Sequence, residues 1–544
     1  MAYFSSYQEL RNFLEKKLGK ISMSQLITTN ALNNPDKTAI IAEDGIFTYK
    51  ELAETTNRLA SSLKKLGVKK GDKIATIFWN GAGFVHTYFA VAKAGAVNVA
   101  LNYRLAGKEL EYIINHCDAK VLLIDEEYYP VISDIRANLL NIKEIIIRKN
   151  QEKNETSANI ISFQQLIDEG SPEPLEIMAA ENDDVAYIYT SGTIGIPKGV
   201  MLTHNNCLAQ IGQAYDRGEF KETDLLITAA PAWHAQTYCN HFACLLAGGT
   251  AIFVKAFEPL AMLKRIEDTR ATIHFGVPAM YIAMLNHPQI GSFKLNSLRK
   301  LIYGGAVMPA EIVRRLKETF PQLEGVQDFY GMTETAGVVL TWPYTLEEAI
   351  RKAGAQGKPV LGDEVLVCDD QGKEVPVGEV GEFVIKGPAL YRGYYKDEVQ
   401  TADAIRGGWF YSGDLGKKDE EGFYYVIDRK KDMINRGGEN VYPAEIENVL
   451  LKHQVVADVA VLGYPDERLG ERTRACIVVK EGLNLTESEV REHCKKYLAV
   501  YKVPDKVEFC NVLPRSAAGK LLKRVLREDY NKSVFCSSGG SSRF

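Results

Sequence analysis

The feature that most constrains the fold is an alternation. Through the first 360 residues, short runs dense in β-branched and aliphatic residues trade places with amphipathic stretches of helical period. KIATIFW (73–79), AKVLLID (119–125), EIIIRK (144–149), VAYIYT (185–190), LLITAA (225–230), TAIFV (250–254) and KLIYG (300–304) read as buried strands. Between them lie stretches such as YKELAETTNRLASSLKKLG, in which Leu52, Leu59, Leu63 and Leu66 share one stripe. Strand–helix alternation predicts α/β architecture, with a large N-terminal domain of doubly wound layers over residues 1–362. A chain of 544 residues also exceeds what one core holds.

The texture changes from about residue 363. EVLVCD, GEFVIKG and FYYVID are short strands separated by Gly- and Asp-rich turns, which predicts a small β-barrel-like subdomain over 363–430. After Asp432 helix signals return. Pro443 suits a first helical turn, and Ile446, Val449, Leu450 and His453 follow at helical spacing. VADVAVLG and RACIVVK read as strands, and Thr486 with Glu489 forms a capping box ahead of Val490, Cys494 and Leu498. Residues 431–530 are therefore expected to form a small, mobile α+β C-terminal domain. Its junction, IDRKKDMINRGG (427–438), is charged and runs into glycines, as a hinge would. Residues 531–544 end in SSGGSSRF and read as a flexible tail.

Charge and cysteine usage narrow the function classes. A net charge of -5 argues against nucleic-acid binding through bulk charge. The nine cysteines are scattered and form no C-x-x-C pair, so neither a zinc ribbon nor a redox dithiol is signalled. The opening residues lack the apolar core of a secretory leader. The most apolar region, Phe84 to Leu101, is broken by His86, Lys93 and Asn98, so no membrane span is expected. Together these features predict a cytoplasmic protein with reduced thiols.

The chemistry concentrates in YTSGTIGIPKGVMLTH (189–204), a Gly-rich stretch after a predicted strand. Its glycines stand at 192, 195 and 199, which fits neither the P-loop nor the dinucleotide fingerprint. The composition still suits phosphate, because glycines admit backbone N–H groups and the hydroxyls and lysine add donors and charge. TSGTIGIPKG (190–199) resembles the signature loop of the adenylate-forming superfamily, which holds acyl-CoA synthetases, peptide-synthetase adenylation domains and beetle luciferases. The resemblance implies that Thr190, Ser191, Gly192, Thr193, Gly195 and Lys198 handle the β- and γ-phosphates of ATP. Ile194 stands where the family usually has a second threonine. One hydroxyl donor is missing, so weaker ATP binding with retained function is the expectation.

The resemblance recurs in order along nearly the whole chain. YGGAVMPAE (303–311) and YGMTETAG (330–337) resemble the adenine-side and metal-side segments. By that resemblance Gly304, Gly305 and Ala306 flank the adenine, and Asp328, Phe329, Tyr330, Gly331 and Met332 line the nucleotide with Tyr330 stacked on it. Thr333 then meets the α-phosphate and Glu334 binds Mg²⁺. YSGDLG (411–416) supplies Asp414 for the ribose hydroxyls, with Ile427 and Arg429 beside the same ribose. Lys431 occupies the family's hinge position. PAWHAQ (231–236) places His234 beside the acyl carboxylate and the later thiol. GGENVYP (437–443) implies that Gly437, Gly438 and Glu439 line the pantetheine tunnel.

LPRSAAGKLLKRVLR (513–527) implies that Lys520 is the lysine of adenylation. The reaction brings a carboxylate onto the α-phosphate of ATP, and an ammonium bridging the two stabilises both the approach and the transition state. Each such contact is worth about 4 kcal/mol at ~4 Å and an effective dielectric near ~20, before desolvation. The implied reaction is acid plus ATP to acyl-AMP and pyrophosphate, then displacement of AMP by coenzyme A. ATP, Mg²⁺ and CoA are the implied co-substrates, and the partner is a small carboxylic acid, with no nucleic acid. A homodimer is left open.

Trp233, Ala235, Gln236, Tyr238, Phe275, Val277 and Gly337 are the acyl-pocket candidates. Their bulk suggests a compact aromatic or short-to-medium aliphatic acid, and no arginine awaits a second carboxylate. The rivals are adenylation enzymes with other acceptors and a non-catalytic nucleotide sensor. Carrier-protein loading would need an Asp near Trp233 to meet an amino acid's ammonium, and none is there. A luciferase-like oxygenase keeps the same motifs, but the terminal SRF is not a peroxisomal signal. Intact Lys520, Glu334 and Asp414 count against a sensor.

Overall fold

The computed structural model describes residues 3–149, 160–176, 179–191, 196–341, 345–515 and 521–528. The alternation becomes two large, mainly parallel sheets, and each of the seven predicted runs lies in one of them. The first sheet has nine strands in the order Lys358–Pro359, Gly337–Thr341, Gly325–Met332, Lys300–Tyr303, Ile273–Gly276, Leu225–Thr228, Thr250–Phe253, Thr38–Ala42, Gly45–Thr48. Its inner pairs are parallel and its outer pairs antiparallel. The second has eight strands in the order Gly393–Tyr394, Pro197–Thr203, Asp184–Ser191, Val97–Ala100, Lys73–Ile77, Ala119–Asp125, Glu144–Arg148, Ile160–Ser162.

Local signals explain the helices between them. Helix Tyr49–Lys65 starts at Thr48, whose hydroxyl accepts from Glu51 N while the Glu51 carboxylate accepts from Thr48 N at 2.8 Å. Such a box satisfies two of the orphan donors of a first turn. Leu52, Leu59 and Leu63 are fully buried, as the stripe requires, while Leu66 caps the end and stays half-buried. Side chains such as Ile227, Ile252, Met262, Leu263, Tyr281 and Leu301 form one core around the first sheet. Truncating one of them to Ala would cost about 2–5 kcal/mol.

A third, smaller sheet joins Glu364–Cys368, Gly381–Lys386, Trp409–Lys418, Ile405–Arg406 and Tyr424–Arg429. The chain divides into two compact units. The first takes in Met1–Val365, Ile385–Phe410 and Gly422–Tyr424, and the second Leu366–Val384, Tyr411–Glu421 and Tyr425–Phe544. The second unit holds the predicted C-terminal elements. Val456–Asp466 and Gly470–Val479 form a long hairpin, Lys506–Phe509 pairs parallel with its second arm, and helices Pro443–Leu450 and Glu487–Tyr497 accompany it. Ile446, Leu450, Val461, Ile477, Val490 and Cys494 share one buried cluster there. The fold is mixed α/β with a large N-terminal part and a smaller C-terminal one. Among the described residues no helix is long and apolar enough to cross a membrane.

Candidate active site

The stretch read as a loop from Tyr189 to His204 is mostly strand. Asp184–Ser191 and Pro197–Thr203 pair antiparallel, with Thr190 opposite Lys198 and Ser191 opposite Pro197. Pro197 and Gly199 conceal this second arm from a sequence reading. Val200 and Leu202 bury alternate positions of it, and Thr203 caps the helix that follows. Gly192, Thr193, Ile194 and Gly195 lie outside the described residues, as does Lys520.

A second candidate segment is the antiparallel pair Gly325–Met332 and Gly337–Thr341, whose connecting turn carries Thr333 and Glu334. A Cβ on Gly331 would lie 1.5 Å from the Gly337 carbonyl oxygen, so only glycine fits there. The hydroxyl of Thr335 donates to the carbonyls of Met332 and Gly337 at 3.0 Å each and ties the turn shut. Along Gly325–Met332 the first five residues are buried and the last three half-buried. Phe329 is fully buried, Asp328 is buried with its carboxyl hydrogen-bonded to Gln356, and Tyr330 is half-buried. Burial pushes the Asp328 carboxyl well above the usual range.

Glu334 is held twice. Its carbonyl accepts from Tyr391 N at 2.8 Å and its Oε1 accepts from the Tyr394 hydroxyl at 3.0 Å. The Lys198 ammonium sits 4.9 Å from the centroid of the Tyr394 ring. Burial, then the neighbouring Glu334 carboxylate, pushes the Tyr394 hydroxyl far above its ordinary value and keeps it a donor. Among the described residues no cluster of three His, Cys, Asp or Glu side chains gathers around a metal. A single carboxylate, with a lysine on the ring of the tyrosine that holds it, fits Mg²⁺ held partly by phosphate oxygens and water.

The segment 231–236 abuts Gly304 and the strand Gly325–Met332. Asn80 is 5% exposed; its amide donates to the carbonyls of Ala230 and Val254, and its oxygen accepts from Ala232 N at 2.7 Å. This clamp sets the start of Trp233–His234, whose rings stack with centroids 3.9 Å apart. Helix Ala235–Ala247 follows, with Ala235 buried. Gln236 donates to the Phe329 carbonyl, and a Cβ on Gly304 would meet that amide at 2.5 Å. Gly305, at φ +80, leaves 3.9 Å between its Cβ position and Val277. Ala306 is exposed beside it. A Cβ on Gly337 would meet the Gln210 side chain at 3.0 Å.

Tyr238 and Phe275 are buried deeper. Tyr238 is 2% exposed; its ring lies 5.3 Å from that of Tyr88 and 5.5 Å from that of Phe242, with Cys207 Sγ at 3.9 Å from its hydroxyl. Phe275 is 3% exposed in the strand Ile273–Gly276.

In the second unit Asp414 is 4% exposed, and its Oδ1 accepts from Arg429 Nε at 2.7 Å. Arg429 also donates to the Ser412 carbonyl at 3.3 Å. Ile427 lies half-buried on the same strand. Lys431 is exposed in the short turn Lys430–Asp432, while Lys430 binds Glu382 and Asp370. Gly437 and Gly438 form the tip of the hairpin Ile434–Arg436/Glu439–Val441 at φ +64 and +93, next to exposed Glu439. The sequence reading missed Asn80 and Tyr394, because each acts on residues far away in the chain.

The AMP-binding enzyme family matches residues 27–395, and the AMP-binding enzyme C-terminal domain matches 445–520. The chain is 37% identical over 502 residues to a feruloyl-CoA synthase of Amycolatopsis sp, covering 91% of this chain and 96% of that protein. It is 32% identical over 546 residues to a long-chain-fatty-acid–CoA ligase of Bacillus subtilis (strain 168), covering 95% and 96%. Among solved structures, ATP-bound MatB from Rhodopseudomonas palustris superposes with a TM-score of 0.84 at 31% identity, covering 94% of this chain and 99% of that one. The chain belongs to the AMP-binding enzyme family, as an AMP-forming acyl-CoA synthetase that converts an acid to acyl-AMP with ATP and Mg²⁺ and then to acyl-CoA.

Proposed function

We propose that the acid is a compact monocarboxylate with an aromatic or short-to-medium aliphatic body. One observation carries this reading. Tyr238, four residues past His234, is locked against Tyr88, Phe242 and Cys207, which leaves no slack for a long chain at that depth. The likeness to a feruloyl-CoA synthase supports it, since ferulate is a compact aromatic acid.

The residue roles follow from chemistry. Thr190, Ser191 and Lys198 hold the leaving pyrophosphate together with Gly192, Thr193 and Gly195. Glu334 holds Mg²⁺, which neutralises phosphate charge as it develops. Thr333 donates to the α-phosphate. Gly304 and Gly305 leave room for the adenine against Tyr330, and the Asp414–Arg429 pair receives the ribose hydroxyls. Lys520 bridges carboxylate and α-phosphate during adenylation. His234 lies where the carboxylate and then the thiol arrive, and the Gly437–Gly438 tip meets the pantetheine arm. The domains fall at 1–362, 363–430 and 431–530, with Lys431 as the hinge between half-reactions. We place the enzyme in the cytoplasm, which the free cysteines of the described chain support.

The test is AMP release with ATP, Mg²⁺ and CoA across acids graded in length and ring content. Aryl and short-to-medium acids should give the highest kcat/KM, and Tyr238→Ala should extend use to longer acids. A preference for long chains in the wild-type enzyme would overturn the pocket reading, and silence across the panel would overturn the reaction.

A further inference from the structure

A short strap, Tyr391–Lys396, ties together two parts of the site that are far apart in sequence. Its strand Gly393–Tyr394 pairs antiparallel with Pro197–Thr203, setting Gly393 opposite Met201 and Tyr394 opposite Val200. Backbone bonds flank the pair: Arg392 N donates to Met201 O at 3.0 Å and Tyr395 N to Gly199 O at 2.8 Å. The second arm of the phosphate hairpin is thus fixed along its length. On the other side Tyr391 N holds the Glu334 carbonyl at 2.8 Å.

The Tyr394 side chain completes the link. It is 9% exposed, packed edge-on against Tyr391 with centroids 5.0 Å apart, and its backbone N–H donates to Thr401 Oγ1 at 2.9 Å. Its hydroxyl donates to Glu334 Oε1 at 3.0 Å while its ring faces the Lys198 ammonium at 4.9 Å. Only an aromatic ring with a donor serves both. The ring face draws a cation without neutralising it, and the phenol proton orients a carboxylate without competing for a metal. An acid at this position would pair with Lys198, and a base with Glu334.

We infer that Tyr394 is a positioning residue for the magnesium–nucleotide site, its hydroxyl aiming the Glu334 carboxylate and its ring seating Lys198. The inference rests on the proposed roles of Glu334 and Lys198. One carboxylate oxygen is engaged by the phenol, and the other would be available to hold a cation. Partners of this kind typically contribute ~10–100-fold in metal affinity.

The experiment uses the full-length enzyme and Mn²⁺ as the probe, with binding to the enzyme·ATP complex followed by electron paramagnetic resonance in the absence of acid. Tyr394→Phe should weaken Mn²⁺ binding about tenfold. It should raise the KM for MgATP by a similar factor. The acid KM, the thioester rate from supplied acyl-AMP and the melting midpoint should stay unchanged. Tyr394→Leu should further weaken ATP binding in EDTA, where the Phe variant binds like wild type. Glu334→Gln is the reference. If it binds Mn²⁺ like wild type, the cation-site reading beneath the inference fails. If it loses Mn²⁺ while Tyr394→Phe keeps wild-type affinity, the role of Tyr394 alone is overturned. A lowered melting midpoint with a parallel rise in acid KM would also overturn it, marking Tyr394 as merely structural.

Discussion

Replacing Asp414 by Asn isolates the proposed ribose contact. The carboxylate is 4% exposed and one oxygen already accepts from Arg429 Nε at 2.7 Å. Asn keeps the shape but offers one acceptor oxygen and an NH₂ group. That NH₂ must face either the guanidinium or a ribose hydroxyl, so at least one charge-assisted bond is lost. Such a bond contributes about 1.5–3 kcal/mol. A loss of about 2 kcal/mol corresponds to roughly a 30-fold rise in the ATP dissociation constant. Arg429 is 38% exposed and can recruit water, so the fold should lose far less than the site does. The assay is ATP binding by calorimetry, crossed with 2′-deoxyATP on both enzymes. If Asp414 receives the 2′-hydroxyl, its loss and the loss of that hydroxyl should not add, and the coupling should be at least about 1 kcal/mol. Additive penalties, or an unchanged ATP affinity, would refute the assignment.

Two further changes test the scaffold. Gly331→Ala puts a methyl 1.5 Å from the Gly337 oxygen and must break the turn that carries Thr333 and Glu334. It should cost on the order of 4 kcal/mol and abolish ATP binding, and an unchanged melting midpoint would contradict that approach. His204 is 1% exposed, accepts from Met23 N at 3.0 Å through Nδ1, and burial lowers its pKa from 6.5 to about 4. On acidification the unfolded chain therefore takes the proton first. The stability is present above pH ~6.5 and is lost as pH falls toward ~4, with about 2 kcal/mol lost between pH 7 and pH 5. His204→Gln should flatten the dependence of denaturant-derived stability on pH by that amount.

Much of the scaffold was legible because buried parallel strands announce themselves in runs such as AKVLLID, which matches the strand Ala119–Asp125 residue for residue. The capping box at Thr486 is equally local, since donor and acceptor stand three residues apart. The strand Pro197–Thr203 was not legible. Its Pro-Lys-Gly opening reads as a turn, and it forms because Asp184–Ser191 and Gly393–Tyr394 supply its hydrogen-bond partners. A two-residue strand has no periodicity to detect. The site divides the same way. Short motifs carry Glu334, Asp414 and Arg429, whereas Tyr394 reaches Glu334 across 60 residues and Asn80 reaches Ala230 across 150. Those pairings exist only once both sheets are built.

One chain adenylates an acid and then transfers it to CoA, and we propose that Lys520 serves the first step alone. The measurement is the Lys520→Ala variant followed in each half-reaction: acid-dependent pyrophosphate–ATP exchange, and thioester formation from supplied acyl-AMP and CoA. Exchange should fall by at least about a thousandfold, the loss of roughly 4 kcal/mol of transition-state stabilisation, while thioester formation proceeds at the wild-type rate. Equal losses in both half-reactions, or exchange that survives, would contradict it.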